Sequence, residues 1–206
     1  MSIPQKQLKV NSTRLPYAFY AREAWLVARE LLGMRVLRWL DGQWVGGSIV
    51  EAEAYTGMDD AASHAYRGRT ARNAPMFGRP GHTYLYFVYG MHWMFNIAAH
   101  PEGAVGAVLI RALAPEWGVE VMQAQRGGKP LAQLTNGPAR LAQALALDAT
   151  LNAVDLCAHP DLTLTSGCAL AEAAIACGPR VRVPGDAVAQ ARPWRFWIRE
   201  NPYVSH

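Results

Sequence analysis

Lysine is nearly missing from this sequence of 206 residues: Lys6, Lys9 and Lys129 stand against 17 arginines. Cysteine is also scarce. Cys157, Cys168 and Cys177 are odd in number and show no CxxC spacing, which argues against a structural zinc or a disulfide framework and fits a reducing cytoplasm. No apolar run approaches the ~20 residues of a membrane span. The stretch Met1 to Val10 is polar, with no apolar segment behind it, so secretion is not expected. Charged residues make up 17% and hydrophobic residues 51%, which excludes global disorder. The length suits one domain, with residues 1–15 expected as a flexible N-terminal segment.

A further absence is local. No Asp or Glu occurs from Ala61 to Pro101, while Arg67, Arg69, Arg72 and Arg79 all fall there. The same window holds Tyr66, Phe77, Tyr84, Tyr86, Phe87, Tyr89, Trp93 and Phe95. Arginine presents a planar fork suited to phosphate, and aromatic rings can stack on bases. The pattern points to a polyanionic partner. An arginine loop followed by aromatic core strands would look the same on composition alone.

Tyr20 to Leu32 carries apolar residues at helical spacing and stops at Gly33, which predicts a helix. Met34 to Leu40 and Gln43 to Tyr55 read as strands joined by an Asp41-Gly42 hairpin turn, with Gly46-Gly47 marking a bulge or close backbone approach. Gly57 to Gly81 has no sustained periodicity, and so long a connection is usually functional. Thr83–Tyr89 and Trp93–Ala99 form a second predicted hairpin around Gly90, Met91 and His92. Val105–Leu113 reads as a buried strand, Pro115–Gln125 and Pro138–Leu147 as helices, and Arg180–Val183 and Trp194–Arg199 as closing strands. The expected fold is α+β: a curved, mainly antiparallel sheet with peripheral helices and a protruding β-hairpin.

Two places can carry chemistry. In IVEAEAY, alternation sets Val50, Ala52 and Ala54 on one face and Glu51, Glu53 and Tyr55 on the other. A carboxylate on a rigid strand beside an aromatic ring can activate water while the ring holds a flat substrate. In TYLYFVYG, Tyr84 and Tyr86 share one face, and Tyr89 ends the strand at a tight tip, the form of a wedge that enters a duplex. Asn96 and Arg111 are polar residues on apolar strands and need partners or a role. Glu51 and Glu53 could also serve a carbohydrate hydrolase. Their backbone separation of about 7 Å on one strand face suits that poorly, and it leaves the arginine loop and the wedge unexplained.

VEAEAYTG, ASHAYRGRTARNAPMFGRPG, YLYFVYGMHWMFNIAA, VLIRALAP, NGPARLAQAL and PWRFWIRENPYVS, in that order, closely resemble the alkyladenine (3-methyladenine) DNA glycosylase family. The resemblance runs from about Tyr20 to Ser205. It implies a monofunctional enzyme that flips alkylated or deaminated purines out of duplex DNA and hydrolyses the N-glycosidic bond. In that implication Glu53 activates the water and Arg111 helps position it. Tyr55, His64 and Tyr86 wall the base pocket, Asn96 crowds the 2-amino group of guanine, and Tyr89 fills the gap in the duplex. Arg67, Arg69, Arg72 and Arg140, with Met91 and His92, fall to backbone contacts. No cofactor or metal is implied, and the expected protein is a cytoplasmic monomer without membrane attachment. A non-catalytic binder of damaged DNA is the alternative. The three lysines lie outside these motifs, which disfavours a Schiff-base lyase. One departure stands out: TARN replaces the family's usual TPRN, so Ala71 loses a proline's restraint on the loop.

Overall fold

The structure, a computed structural model, describes residues 13–88 and 90–205. Of the expected flexible segment, residues 1–12 lie outside that range, while residues 13–15 are tied to the sheet. Arg14 bridges Thr165, and the Leu15 N–H donates to the Leu164 carbonyl at 3.0 Å, with the Leu15 side chain buried in the core.

Two short helices, α1 (Tyr17–Tyr20) and α2 (Ala24–Glu30), precede strands β1 (Arg35–Leu40), β2 (Gln43–Tyr55), β3 (Thr83–Val88), β4 (His92–Ala98) and β5 (Ala107–Trp117). Helices α3 (Val119–Gln125) and α4 (Pro138–Ala144), strands β6 (Leu162–Thr165) and β7 (Ile175–Gly178), helix α5 (Ala187–Ala191) and strand β8 (Arg195–Ile198) follow. The strands form one open sheet in the order β3-β4-β5-β2-β1-β6, with β8 pairing the far half of β2 and β7 pairing β8. Each pairing is antiparallel, as the α+β reading expects. No helix among the described residues is long and apolar enough to cross a membrane.

One sheet face carries the main core, against which α2 and α4 pack. The other carries a small cluster of Ala65, Met76, Tyr84 and Ala107, flanked by Tyr55 and Tyr86. What turns polar side chains to that second face is a pair of bulges. On β2, Val45 and Ile49 point into the main core, and so do Ala52 and Ala54. Strict alternation cannot connect Ile49 to Ala52. The register shift at Val50 supplies the extra residue, and it swings Glu51 and Glu53 away from the core. On β5, Val108, Ile110 and Leu113 point inward, with a shift at Arg111 that swings its guanidinium to the same side as the glutamates. Val50, expected beside Ala52 and Ala54, is buried at the shift and outside that core cluster.

The Asp41-Gly42 turn forms as read, both residues having positive φ (49° and 80°) and Leu40 facing Gln43. Gly46 and Gly47 meet the expected close approach: a Cβ on either would lie 1.9 Å from a neighbouring carbonyl oxygen, Val36 or Ala114 respectively.

Three expectations change. The helix expected over Tyr20–Leu32 breaks at residues 21–23, where Arg22 Nε takes the Phe19 carbonyl and its Nη2 pairs with Glu30. Pro115 to Trp117 continue β5 instead of starting a helix, because they pair with β2 at the register shift beside Gly46 and Gly47; Gly118, at φ 62°, then admits α3. Arg180–Val183 is a turn and not a strand. Its Val181 N–H goes to the Glu53 carboxylate, and Arg182 adopts φ 51°, so no ladder can form.

Candidate active site

A cavity of about 420 Å³ opens on the second sheet face. Tyr55 from β2, His64 from the arginine loop, Tyr86 from β3, Asn96 from β4 and Arg111 from β5 all line it. These five residues span 57 positions of sequence, and antiparallel pairing brings four of their strands side by side.

Glu53 lies beneath them, fully buried. Its Oε2 accepts from the Tyr55 hydroxyl at 2.8 Å and from Arg111 Nη1 at 3.2 Å, while Oε1 accepts the Val181 N–H at 2.7 Å. A carboxylate offers roughly four acceptor positions. Among the described residues, the unfilled one is therefore on Oε1, beside Val181, which itself lines the cavity. Burial, reinforced by the Glu53 charge and hydrogen bond, raises the Tyr55 phenol well above its ordinary pKa and keeps it a donor. Burial also opposes the charge on Arg111, but Glu53 and Glu51 outweigh it and hold the guanidinium protonated.

The walls are equally fixed. His64 Nδ1 meets the Tyr84 hydroxyl at 2.8 Å, leaving Nε2 as the ring nitrogen for a bound molecule. Partial burial, then the Arg72 charge, lowers the His64 pKa and favours the neutral ring. Its ring sits edge-on to Tyr86 at 4.5 Å, with the Arg72 guanidinium over Tyr86 at 5.6 Å. Asn96 Nδ2 donates to the Tyr84 and Met94 carbonyls, at 3.1 and 3.3 Å, so its amide cannot swing out of the pocket wall.

The loop is organised despite Ala71. Asn73 donates to the carbonyls of His64 and Gly68, accepts from Thr70 N–H, and donates its own N–H to Thr70 Oγ1. Stiffness that a proline would give comes from this hub. Arg67 and Arg69 are exposed and make no hydrogen bond or ion pair among the described residues, while Arg72 also donates to the Phe87 carbonyl. Arg140 is exposed on α4, bonded to Asn136. Met91 is exposed at the hairpin tip, His92 is half-buried and faces Val88 in the ladder, and Tyr89 lies outside the described residues.

Several site residues escape sequence reasoning. Glu51, named as a candidate, is fully buried, and Arg195 and Ser205 reach it from the end of the chain. Arg180 and Asp60 form a bidentate pair with both side chains 0% exposed, at 2.6 and 2.8 Å. The Arg180 guanidinium also lies 4.7 Å over the Tyr55 ring. A charge-bearing residue inside an apolar stretch, as at Arg111, is a usable signal, and Arg195 within PWRFWI carries it too; what the sequence does not give is the partner of Arg195 or of Arg180.

Comparison with known proteins bears on this geometry. A family model described as methylpurine-DNA glycosylase matches residues 18–202. The chain is 45% identical over 191 residues to a protein of Carboxydothermus hydrogenoformans, covering 93% of this chain and 98% of the relative. It is 47% identical over 199 residues to one of Granulibacter bethesdensis (96% and 90%), and 44% over 198 residues to one of Streptomyces avermitilis (95% and 92%). All three carry the provisional name 3-methyladenine DNA glycosylase.

Proposed function

The chain belongs to the methylpurine-DNA glycosylase family, and we propose its reaction from that premise. It is a DNA glycosylase, a hydrolase of N-glycosyl bonds acting on DNA. In our reading the substrate is an alkylated purine, 3-methyladenine or 7-methylguanine, turned out of the duplex into the cavity and released by a water that Glu53 activates. The observation that carries this is the open acceptor position on Glu53 Oε1, buried under a cavity walled by tyrosine and histidine.

Such an enzyme must reach C1′, which is hidden in the stack, so it extrudes the nucleotide and fills the gap. Tyr89, next in sequence after Val88, is assigned that filling role. Alkylation at N3 or N7 makes the purine cationic. Tyrosine faces then attract it by roughly 0.5–2 kcal/mol per contact. The bond from C1′ to the base nitrogen breaks with its electron pair leaving on the base, and positive charge develops on the sugar. Glu53 stabilises that charge and takes the proton of the attacking water. Arg111 and the Val181 N–H hold the carboxylate in place while it does so. Exposed Arg67, Arg69 and Arg140 meet phosphates, with Arg72, Met91 and His92 on the hairpin side.

The direct test is incubation of the protein with methylated duplex DNA and chromatography of the released bases. Free 3-methyladenine or 7-methylguanine is the expected product. Tight binding without any free base would favour a non-catalytic binder of damaged DNA.

Asn96 tests selectivity. If its fixed amide crowds the guanine 2-amino group, Asn96→Ala raises release of guanine-type over adenine-type bases by roughly tenfold, the scale of one relieved steric clash. Both absolute rates can fall, since the amide also ties Tyr84 and Met94. The ratio is therefore the readout, and a constant ratio assigns Asn96 to structure alone.

A further inference from the structure

The two glutamates of β2 divide Arg111 unequally. Glu51 Oε1 accepts from Arg111 Nε at 2.8 Å, from Arg195 Nε at 2.7 Å and from the Ser205 hydroxyl at 2.9 Å; Oε2 accepts the Ser205 N–H at 2.7 Å. Glu51 thus takes four donors, two of them guanidinium N–H groups, against the three donors on Glu53. Glu53 takes the weaker share of the same guanidinium, at 3.2 Å. Ser205 completes the set: its hydroxyl oxygen accepts Arg111 Nη2 at 3.1 Å, and its carbonyl accepts Arg195 Nη2 at 3.2 Å. The four charges balance in a region where Arg195, with its side chain 19% exposed, is the most open member.

We propose that Glu51 and Arg195 are positioning residues, a counter-charge pair that draws Arg111 toward Glu51 and so keeps Glu53 free to act as the base. This rests on the reading that Glu53 is that base. The reason is electrostatic competition. Without a charge on Glu51, Arg111 and Arg195 face a single carboxylate, and Arg111 closes on Glu53, which becomes a poorer proton acceptor. Without Arg195, Glu51 has Arg111 as its sole cationic partner and draws it harder, so Glu53 keeps less of the guanidinium and becomes a better acceptor. Removing the two members therefore acts in opposite directions. Glu53 also meets the Tyr55 hydroxyl and the Val181 N–H, with Arg180 behind Tyr55 and with His64 and Arg182 on the cavity wall, and none of them is altered.

The experiment is the pH profile of single-turnover base release from methylated duplex by the wild type, Glu51→Gln, Arg195→Gln and the double variant. A purely structural pair would lower all rates without moving the acid limb in opposing senses. The expected result is an acid limb displaced to lower pH in Glu51→Gln and to higher pH in Arg195→Gln. Each displacement is ~1 unit, the low end of what one neighbouring charge produces. The double variant falls between them. Shifts of the same sign, or none, overturn the proposal. If Glu51→Gln does not fold, Arg195→Gln alone decides, because an acid limb that fails to rise contradicts it. Absence of base release by the wild type would instead overturn the assignment of Glu53, which separates the two failures.

Discussion

Glu53→Gln is expected to cut single-turnover base release by at least ~10²-fold, the contribution of a positioned general base. The substitution keeps the side-chain volume and one carbonyl oxygen. It removes the charge that would stabilise a cationic sugar and the basic oxygen that would take a proton from water. A local cost follows as well. Glu53 now accepts from three donors on two oxygens, and an amide can satisfy only the donors on one side. With its oxygen toward Val181, the amide nitrogen faces Arg111, and repulsion between donors displaces the guanidinium. Affinity for lesion-bearing duplex, measured separately by titration, is expected to stay near wild type, because the proposed function assigns binding to exposed arginines and aromatic rings. Near-wild-type release by this variant would refute the assignment. Glu51→Gln is no neutral comparison, since that side chain is as buried as Glu53 and holds the same arginine.

The largest effect on stability is expected from Asp60→Ala. Arg180 is buried to 0% side-chain exposure, and Asp60 is its only carboxylate partner among the described residues; its other acceptors are the Ala54 and Ala189 carbonyls. Removing one member of a buried pair leaves an uncompensated charge, at a cost of about 3–5 kcal/mol. In a chain of this length that corresponds to a fall in Tm on the order of 10 °C. Asp60 also accepts the N–H groups of Thr56 and Ala62, so the first turn of the arginine loop loosens together with Arg180. Arg180 underlies Tyr55 and precedes Val181, so activity below the melting range is expected to fall too. Thermal unfolding followed by circular dichroism checks the first effect, and a fall of about 2 °C or less would show that water or another group supports Arg180.

How much of this was readable before the structure follows from the range of each interaction. Asp41-Gly42 and the alternation in EAEAY are local rules, and both survive in the folded chain. Tyr55, His64, Tyr86, Asn96 and Arg111 could be named because they sit in motifs whose order is distinctive, and they do converge on one cavity. Arg195 and Ser205 sit in such a motif too, PWRFWIRENPYVS, but nothing in it names what they touch. Their partner Glu51 lies 144 and 154 residues away, and no periodicity of the chain encodes a contact at that distance. The same holds for Arg180 and Asp60, 120 residues apart. The helix expected at Pro115 failed for a related reason, since Gly46 and Gly47, far away on β2, decide that those residues stay extended.

The extra residues at Val50 and Arg111 have an evolutionary consequence. A strand with period two assigns its faces by parity, and each bulge changes the count from even to odd once. Substitutions around Ile49 to Ala52 leave the parity intact. Loss of a single residue would restore the even count, turning Glu51 and Glu53 into the apolar layer under α2 and presenting Ala52 and Ala54 to the cavity. Both glutamates would still be present in such a chain, and neither would face the cavity. An insertion or deletion of one residue here is thus expected to be tolerated far less than a conservative substitution.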